Sequence, residues 1–391
     1  MPTAATPDIV SHLEEVFKQH FHTKPIIVRS PGRVNLIGEH TDYNEGFVLP
    51  AAVDKAAYVA LTPRQDDYYN WVAVDLNDTY SGKLPDIQKS DKGWPNYLSG
   101  MVDQLVKAGY KIKGFDCVIS ADVPIGAGMS SSAALECAVG FALSEAFNLN
   151  ISRMELVKLG QKVENEFVGV KSGIMDQFAS VFGKKDHVIK LDCRSLEYEY
   201  FPFKMQNIRI VLCDTGVKHS LVTTEYNTRR EQCEAGVKLL QSYYPEIKSL
   251  RDVSLEQLEL HRMEMEPVIY NRCLYVVEEI ARLLAATEDL QRGDMASFGN
   301  RMYLTHYGLR DLYEVSCPEL DYLVDFTEKE DIVLGSRMMG GGFGGCTINL
   351  VKEENIDAFF DRISKSYKKD IGIDLKIYEG KIEDGTSVIK R

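Results

Sequence analysis

Four stretches of this chain concentrate residue types that do phosphate and hydroxyl chemistry. The first, residues 124–132 (Pro-Ile-Gly-Ala-Gly-Met-Ser-Ser-Ser), joins a strand-like run at 114–121 to a helical pattern from Ala133 to Phe147. The first turn of a helix carries unpaired N–H groups and the positive end of the dipole, so it attracts phosphate. Gly126 and Gly128 let the backbone approach an anion, and the hydroxyls of Ser130, Ser131 and Ser132 can bond phosphate oxygens or ligate Mg²⁺. No Lys-Ser/Thr pair follows the glycines, which excludes a Walker A loop. Taken alone, the same residues also describe a glycine-rich turn with a serine N-cap.

The second stretch, residues 31–44, reads as a turn-rich loop that packs Arg33, Asn35, Glu39, His40, Asp42 and Asn44 between glycines. Such a density of donors and acceptors suits a sugar, and it equally describes a solvated loop with Asx turns. In the third, Asp176 follows the apolar Gly173-Ile174-Met175. A carboxylate there needs a partner such as arginine, or it caps a helix. Glu164, in a helical pattern over 152–167, could face a metal; by itself it reads as a solvated helix face. The fourth stretch, Gly340–Gly345, spells Gly-x-Gly-x-x-Gly, but strand-like residues follow where a dinucleotide site needs a helix. The lysine, His-Arg-Asp and Asp-Phe-Gly elements of a protein kinase are also missing. The glycines therefore read as a hairpin closing over a ligand, or as a tight turn at a packed interface.

Positioning these residues takes a mixture of strands and helices. Ile9, Leu13, Val16 and Phe17 predict a helix over 8–20, followed by a strand at 25–30. Further strands are predicted at 56–63, 70–75 and 205–214, with helices at 95–108, 225–243 and 265–287. Strand-like runs at 332–334 and 346–351 flank the glycine cluster, and a helix at 353–368 and a strand at 374–378 follow. The mixture argues an α+β fold, with a compact boundary near residue 200 dividing 1–204 from 205–391.

The 391 residues are 45% apolar and 26% charged, as in a globular protein with a sizeable core. A net charge of −13 gives no general attraction to nucleic acid or to an anionic membrane. A bound polyanion would need positive potential built locally. The sequence shows no signal peptide and no apolar run near the ~20 residues that span a bilayer. The eight cysteines are scattered without a Cys-x-x-Cys pair, which reads as reduced thiols in the cytoplasm, and the eight histidines form no ligand pattern.

Residues 31–44, 124–132 and Ser336–Cys346 together resemble, in order, the three motifs of the galactokinases, within the GHMP small-molecule kinase superfamily. Gly173–Gln177 and Ser220–Cys233, with Glu225-Tyr226-Asn227, fit the same pattern, so the resemblance spans essentially the whole chain. It implies a two-lobed fold, with a mixed-sheet N-terminal lobe and a ferredoxin-like C-terminal lobe. It implies transfer of the ATP γ-phosphoryl group to the anomeric hydroxyl of galactose. By position, Asp176 and Arg33 match the catalytic pair, and Glu39, His40, Thr41, Asp42, Gly173 and Tyr226 match the sugar pocket. Gly126, Ala127, Gly128, Met129, Ser130, Ser131 and Ser132 match the phosphate cradle, Ser132 and Glu164 the Mg²⁺ ligands, and Trp94 the adenine-side aromatic. The expected partners are galactose and ATP, with no nucleic acid or membrane, in a monomer or weak oligomer. Three positions depart from the family pattern: Met339 stands where threonine is common, Met129 where leucine is common, and Ser172 where cysteine is common. Alternatives are a sugar 1-kinase for N-acetylgalactosamine or arabinose, against which Thr41 weighs, and a non-catalytic sugar and nucleotide sensor.

Overall fold

The computed structural model describes residues 9–124, 126–203, 207–218 and 222–391. The first eight residues, Ile125, residues 205–206 of an expected strand and Ser220 and Leu221 of the fifth matching stretch lie outside the described residues. The chain runs through helix α1 (Ile9–Phe21), strands β1 (Ile26–Asn35), β2 (Phe47–Val48), β3 (Pro50–Pro63), β4 (Tyr68–Ala73) and β5 (Asp78–Lys83), helix α2 (Pro95–Lys107) and strand β6 (Phe115–Ala121). Helices α3 (Ser131–Phe147), α4 (Arg153–Lys162) and α5 (Met175–Phe182) follow, then strands β7 (His187–Asp192), β8 (Tyr198–Pro202) and β9 (Ile208–Lys218). Helices α6 (Val222–Gln241), α7 (Leu255–Leu260), α8 (Pro267–Arg292), α9 (Met295–Asp311) and α10 (Pro318–Thr327) precede strands β10 (Val333–Met338) and β11 (Gly344–Lys352). Helix α11 (Ile356–Ile371) and strands β12 (Lys376–Gly380) and β13 (Ser387–Lys390) complete the order.

A six-stranded sheet has the order β13-β1-β3-β6-β4-β5, antiparallel except for the β4–β6 pair. A four-stranded antiparallel sheet, β10-β11-β9-β12, and a small sheet, β2-β7-β8, accompany it. Alternation along β9 shows how the second sheet is buried on both faces. Ile210 and Leu212 join the main core with Val28, Val59, Trp71 and Phe115, while Val211 and Cys213 pack under α11 with Phe359 and Ile363. One core therefore runs from the first sheet into the second. On the outer face of the first sheet, Leu13 and Phe17, one helical turn apart, seat α1 on Ile27, Ala60 and Val118.

Three features differ from the sequence reading in ways that matter for the site. First, β1 does not stop at residue 30. It continues to Asn35 through Pro31 and Gly32, with a bulge in its pairing to β3 between Pro31 and Arg33. Turn-forming residues are tolerated there because a bulge leaves the ladder locally open. Second, the expected helix over 152–167 ends as α4 at Lys162 and widens into a π-helical turn over Val163–Val168. Third, β13 pairs with β1, joining Ser387 to Arg29, so residues 387–390 belong to the first sheet and not to a self-contained 205–391 unit. The glycine cluster does sit in a hairpin, between the paired strands β10 and β11. No described helix is long and apolar enough to cross a membrane.

Candidate active site

Three loops converge beside the N-terminus of α3. Hydrogen bonds join them directly to one another. The Arg33 N–H donates to the Met129 carbonyl at 3.0 Å, and the Gly340 N–H donates to Glu39 Oε1 at 2.6 Å. The bulge needs glycine at position 32, since a Cβ there would lie 2.7 Å from the Met129 carbonyl oxygen. Ser130 adopts φ +53° immediately before α3, and its side chain does not cap that helix. Its first-turn N–H groups are left for an anion.

A polar cavity of about 210 Å³ opens at this junction. Asp176, in the first turn of α5, is held on both oxygens. Arg33 Nε donates to Oδ1 at 2.9 Å and Ser130 Oγ donates to Oδ2 at 2.5 Å. A second guanidinium nitrogen of Arg33 donates to the Gly128 carbonyl. Burial alone would weaken the charge of Arg33, but Asp176, Glu39 and Asp42 outweigh it and raise its pKa. Arg33 thus ties the Asp176 carboxylate to the glycine–serine loop.

Glu39 is almost fully buried. Desolvation works against its charge, yet Arg337 and Arg33, the Gly340 N–H and Asn35 Nδ2 at 2.8 Å together hold its carboxyl below the usual range. Arg337 is itself completely buried, 3.2 Å from Glu39 and donating to the carbonyls of Leu36 at 2.8 Å and Met338 at 2.6 Å. Asp42 makes no ion pair among the described residues, although Arg33 lies near enough to feel its charge. Burial and the nearby Asp176 charge push its carboxyl up to about 7, against the N–H groups of Tyr43 and Met175. Gly173 packs on Asp42 so closely that any side chain would collide with the carboxylate. His40 and Tyr226 complete this wall, with ring centroids 5.3 Å apart.

Glu164 corrects its solvated-face reading. A π-helical turn carries more residues than an α-helical one, so side chains beyond Lys162 change phase, and Glu164 is buried at the cavity floor. Ser132 Oγ donates to its Oε1 at 2.9 Å. Burial and then Asp176 raise the pKa of Glu164, which leaves it a carboxylate short of positive charge. A hydroxyl and a carboxylate are the hard oxygen donors that Mg²⁺ takes, and Mg²⁺ ordinarily completes its shell with water and phosphate oxygens. The residues present therefore fit the metal, although among the described residues no group of three or more acidic, histidine or cysteine side chains could hold one unaided.

A second, apolar cavity of about 330 Å³ adjoins the first. Trp94, Leu76, Ile119, Val123 and Leu135 line it, and Tyr97 and Ser132 line both cavities. The Trp94 indole N–H donates to Asp78 Oδ2 at 3.0 Å, which fixes the ring.

Most of the residues singled out in the sequence come together here. Arg33, Glu39, His40, Asp42, Ser132, Glu164, Gly173, Asp176 and Tyr226 line the polar cavity, and Trp94 and Ser131 line the apolar one. Thr41 does not reach either cavity. It is fully buried, with its hydroxyl donating to the carbonyls of Gly38 at 2.9 Å and Phe47 at 2.5 Å, so it shapes the loop from behind. Ser130 directs its hydroxyl at Asp176, not at the cradle. Gly126, Ala127, Gly128 and Met129 supply backbone only, and the side chains of Ala127 and Met129 are core. Met339 is also core, with its carbonyl against Gly128, so that departure from the family pattern backs the glycine–serine loop. Ser172 lines the polar cavity. Tyr97 and Arg337 were missed. Arg337 sits in a quoted motif, but nothing local distinguishes a buried arginine from a solvated one.

Known proteins resemble this chain along nearly its whole length. Residues 15–63 match the galactokinase galactose-binding signature, residues 96–184 the GHMP kinases N-terminal domain and residues 286–369 the GHMP kinases C-terminal domain. A galactokinase of Roseiflexus sp. (strain RS-1) is 44% identical over 374 residues, covering 95% of each chain. The galactokinase of Thermotoga maritima is 43% identical over 362 residues, covering 93% of this chain and 99% of its own. The crystal structure of Lactococcus lactis galactokinase complexed with galactose superposes with a TM-score of 0.93 at 36% identity, covering 97% of this chain and 99% of that one. A chain that matches these relatives almost end to end, with both GHMP domains behind the signature, belongs to the galactokinase family of ATP-dependent sugar kinases.

Proposed function

We propose that this chain transfers the γ-phosphoryl group of ATP to the anomeric hydroxyl of α-D-galactose, giving galactose 1-phosphate and ADP. The observation that carries the reading is the shared wall at Tyr97 and Ser132 between an apolar cavity and a polar one. Adenine fits the first against Trp94, the triphosphate crosses the N-terminus of α3, and the sugar fills the second. The terminal phosphate then meets the Asp176–Arg33 pair.

In this reading Asp176 orients the anomeric hydroxyl and accepts its proton as the new O–P bond forms and the bond to the ADP oxygen breaks. Arg33 and Ser130 fix the carboxylate, and Arg33 faces the charge on the transferred group. Glu39, His40, Asp42, the Gly173 backbone and Tyr226 hold the other hydroxyls. Ser132 and Glu164 would hold Mg²⁺, whose charge neutralises the β- and γ-phosphates when bound. Eight free cysteines, seven of them buried, support a reducing cytoplasmic location.

The test is phosphate transfer from ATP to D-galactose, with NMR placing the new phosphate on C1. Asp176→Ala should lower kcat by at least ~10³-fold, ~4 kcal/mol of transition-state stabilisation, while the protein stays folded. A folded Asp176→Ala variant with near-normal turnover would remove Asp176 from the reaction.

A further inference from the structure

His40 is wired to side chains that the reaction as described does not use. Its Nδ1 lies 2.7 Å from Tyr43 Oη, which lies 2.8 Å from Tyr313 Oη, which lies 3.2 Å from Cys233 Sγ. Tyr313 and Cys233 are buried. The rings of Tyr226 and Tyr313 flank the imidazole at 5.3 and 4.9 Å, so the ring is clamped. The opposite nitrogen, Nε2, is buried in the wall of the polar cavity, and no group among the described residues meets it with hydrogen-bond geometry, although the Gly341 backbone lies near the ring. Burial lowers the pKa of His40 to about 4, so at neutral pH one ring nitrogen carries hydrogen and the other accepts.

The chain of hydroxyls decides which. Burial pushes the Cys233 thiol up to about 11, so it keeps its hydrogen. Sulfur is a weak acceptor, whereas the bare nitrogen of a neutral imidazole is a good one. The arrangement that ends each hydrogen on the better acceptor runs one way: Cys233 S–H to Tyr313, Tyr313 O–H to Tyr43, Tyr43 O–H to His40 Nδ1. The reverse order would end a phenol hydrogen on sulfur, the weaker acceptor, and turn the thiol hydrogen toward the Asn44 side chain instead. Each bond polarises the next, which strengthens the favoured direction.

We propose that Tyr43 and Tyr313 are positioning residues that lock His40 as the Nε2–H tautomer, so that the imidazole donates to one sugar oxygen other than the reacting one. This rests on the reading of the polar cavity as the sugar site. A sugar lacking an acceptor at that place leaves a buried N–H unpaired and is rejected.

The test combines ¹⁵N NMR of the His40 ring with steady-state kinetics on wild type, Tyr43→Phe and Tyr313→Phe. Both substitutions keep the rings and remove only hydroxyls. Wild type should show hydrogen on Nε2. Tyr43→Phe should give a mixture of tautomers and raise the galactose KM about tenfold, the worth of one hydrogen bond, with kcat within about twofold and the ATP KM unchanged. Tyr313→Phe should move both in the same direction by less, and it decides the matter with the wild-type spectrum if Tyr43→Phe does not fold. Hydrogen on Nδ1 in wild type overturns the proposal, as do Phe variants that leave the tautomer or the galactose KM unmoved. Failure of the sugar-site reading is separate: wild type would then consume no ATP with galactose, whatever its tautomer.

Discussion

Gly173→Ala tests the sugar wall by geometry alone. A Cβ on residue 173 would sit 1.9 Å from Asp42 Oδ2 and 2.1 Å from its Cγ. An ordinary contact is about 3.5 Å, so the carboxylate must retreat by about 1.5 Å, or the 173 backbone must move instead. Retreat breaks the bonds from the Tyr43 and Met175 N–H groups, and backbone movement displaces Asp176 three residues on. A misplacement of about 1 Å costs on the order of 10²-fold, ~2.7 kcal/mol. The variant should therefore lose about 100-fold in kcat/KM for galactose. Its affinity for ATP should stay within about twofold, because Trp94 and residues 126–132 are untouched. Galactose titration by calorimetry and initial-rate kinetics read both. The double variant with Asp42→Ala sharpens the test: with the carboxylate gone, the extra methyl should cost little more. A Gly173→Ala enzyme with a normal galactose KM, or full additivity in the cycle, would refute the reasoning.

Other expectations follow from the same site. Folding holds Asp42 protonated up to about 7, whereas its ordinary value is 3.8. The ligand-free protein should thus lose stability as pH rises from about 4 through 7. At pH 8, Asp42→Asn should raise Tm by about 2–4 °C while weakening galactose binding; calorimetry showing a lower Tm than wild type would contradict the assignment. Arg337→Ala strands the buried Glu39 charge and should cost about 3–5 kcal/mol in denaturant unfolding, and a loss below about 1 kcal/mol would mean that Glu39 finds another partner. Ser132→Ala and Glu164→Gln should each raise the Mg²⁺ concentration for half-maximal turnover at least about tenfold, with galactose affinity kept. An unchanged Mg²⁺ dependence would place the metal elsewhere.

Most residues lining the polar cavity were legible because glycines, serines and clustered polar groups carry local signals, whereas the apolar lining at Leu76, Tyr97, Ile119, Val123 and Leu135 carries none. The helices at 95–107 and 131–147 were legible through their apolar pattern. What escaped was set by distant packing. Pro31 and Gly32 spell a turn, yet they continue β1, because the Met129 carbonyl approaches the glycine from another loop. Thr41 looks like a cavity hydroxyl, and only the surrounding carbonyls of Gly38 and Phe47 show why it turns away. Glu164 was misread because the expected α-helix was taken past the residue where its turns widen. The helices α9 and α10 and the strand β13 escaped the sequence reading altogether.

That strand has a bearing on how the protein is made. Just before it, Thr386 shares a 2.8 Å hydrogen bond with Ser30 on β1 and donates to the Ser180 carbonyl on α5 at 2.9 Å. The strand with Arg33 and the helix with Asp176 are thus fastened by a clasp that the ribosome adds about 10–40 s after Asp176, at roughly 5–20 residues per second. Until then Arg33 and Asp176 are both present without this common tether, and the edge of β1 stays open to pairing with whatever strand comes near.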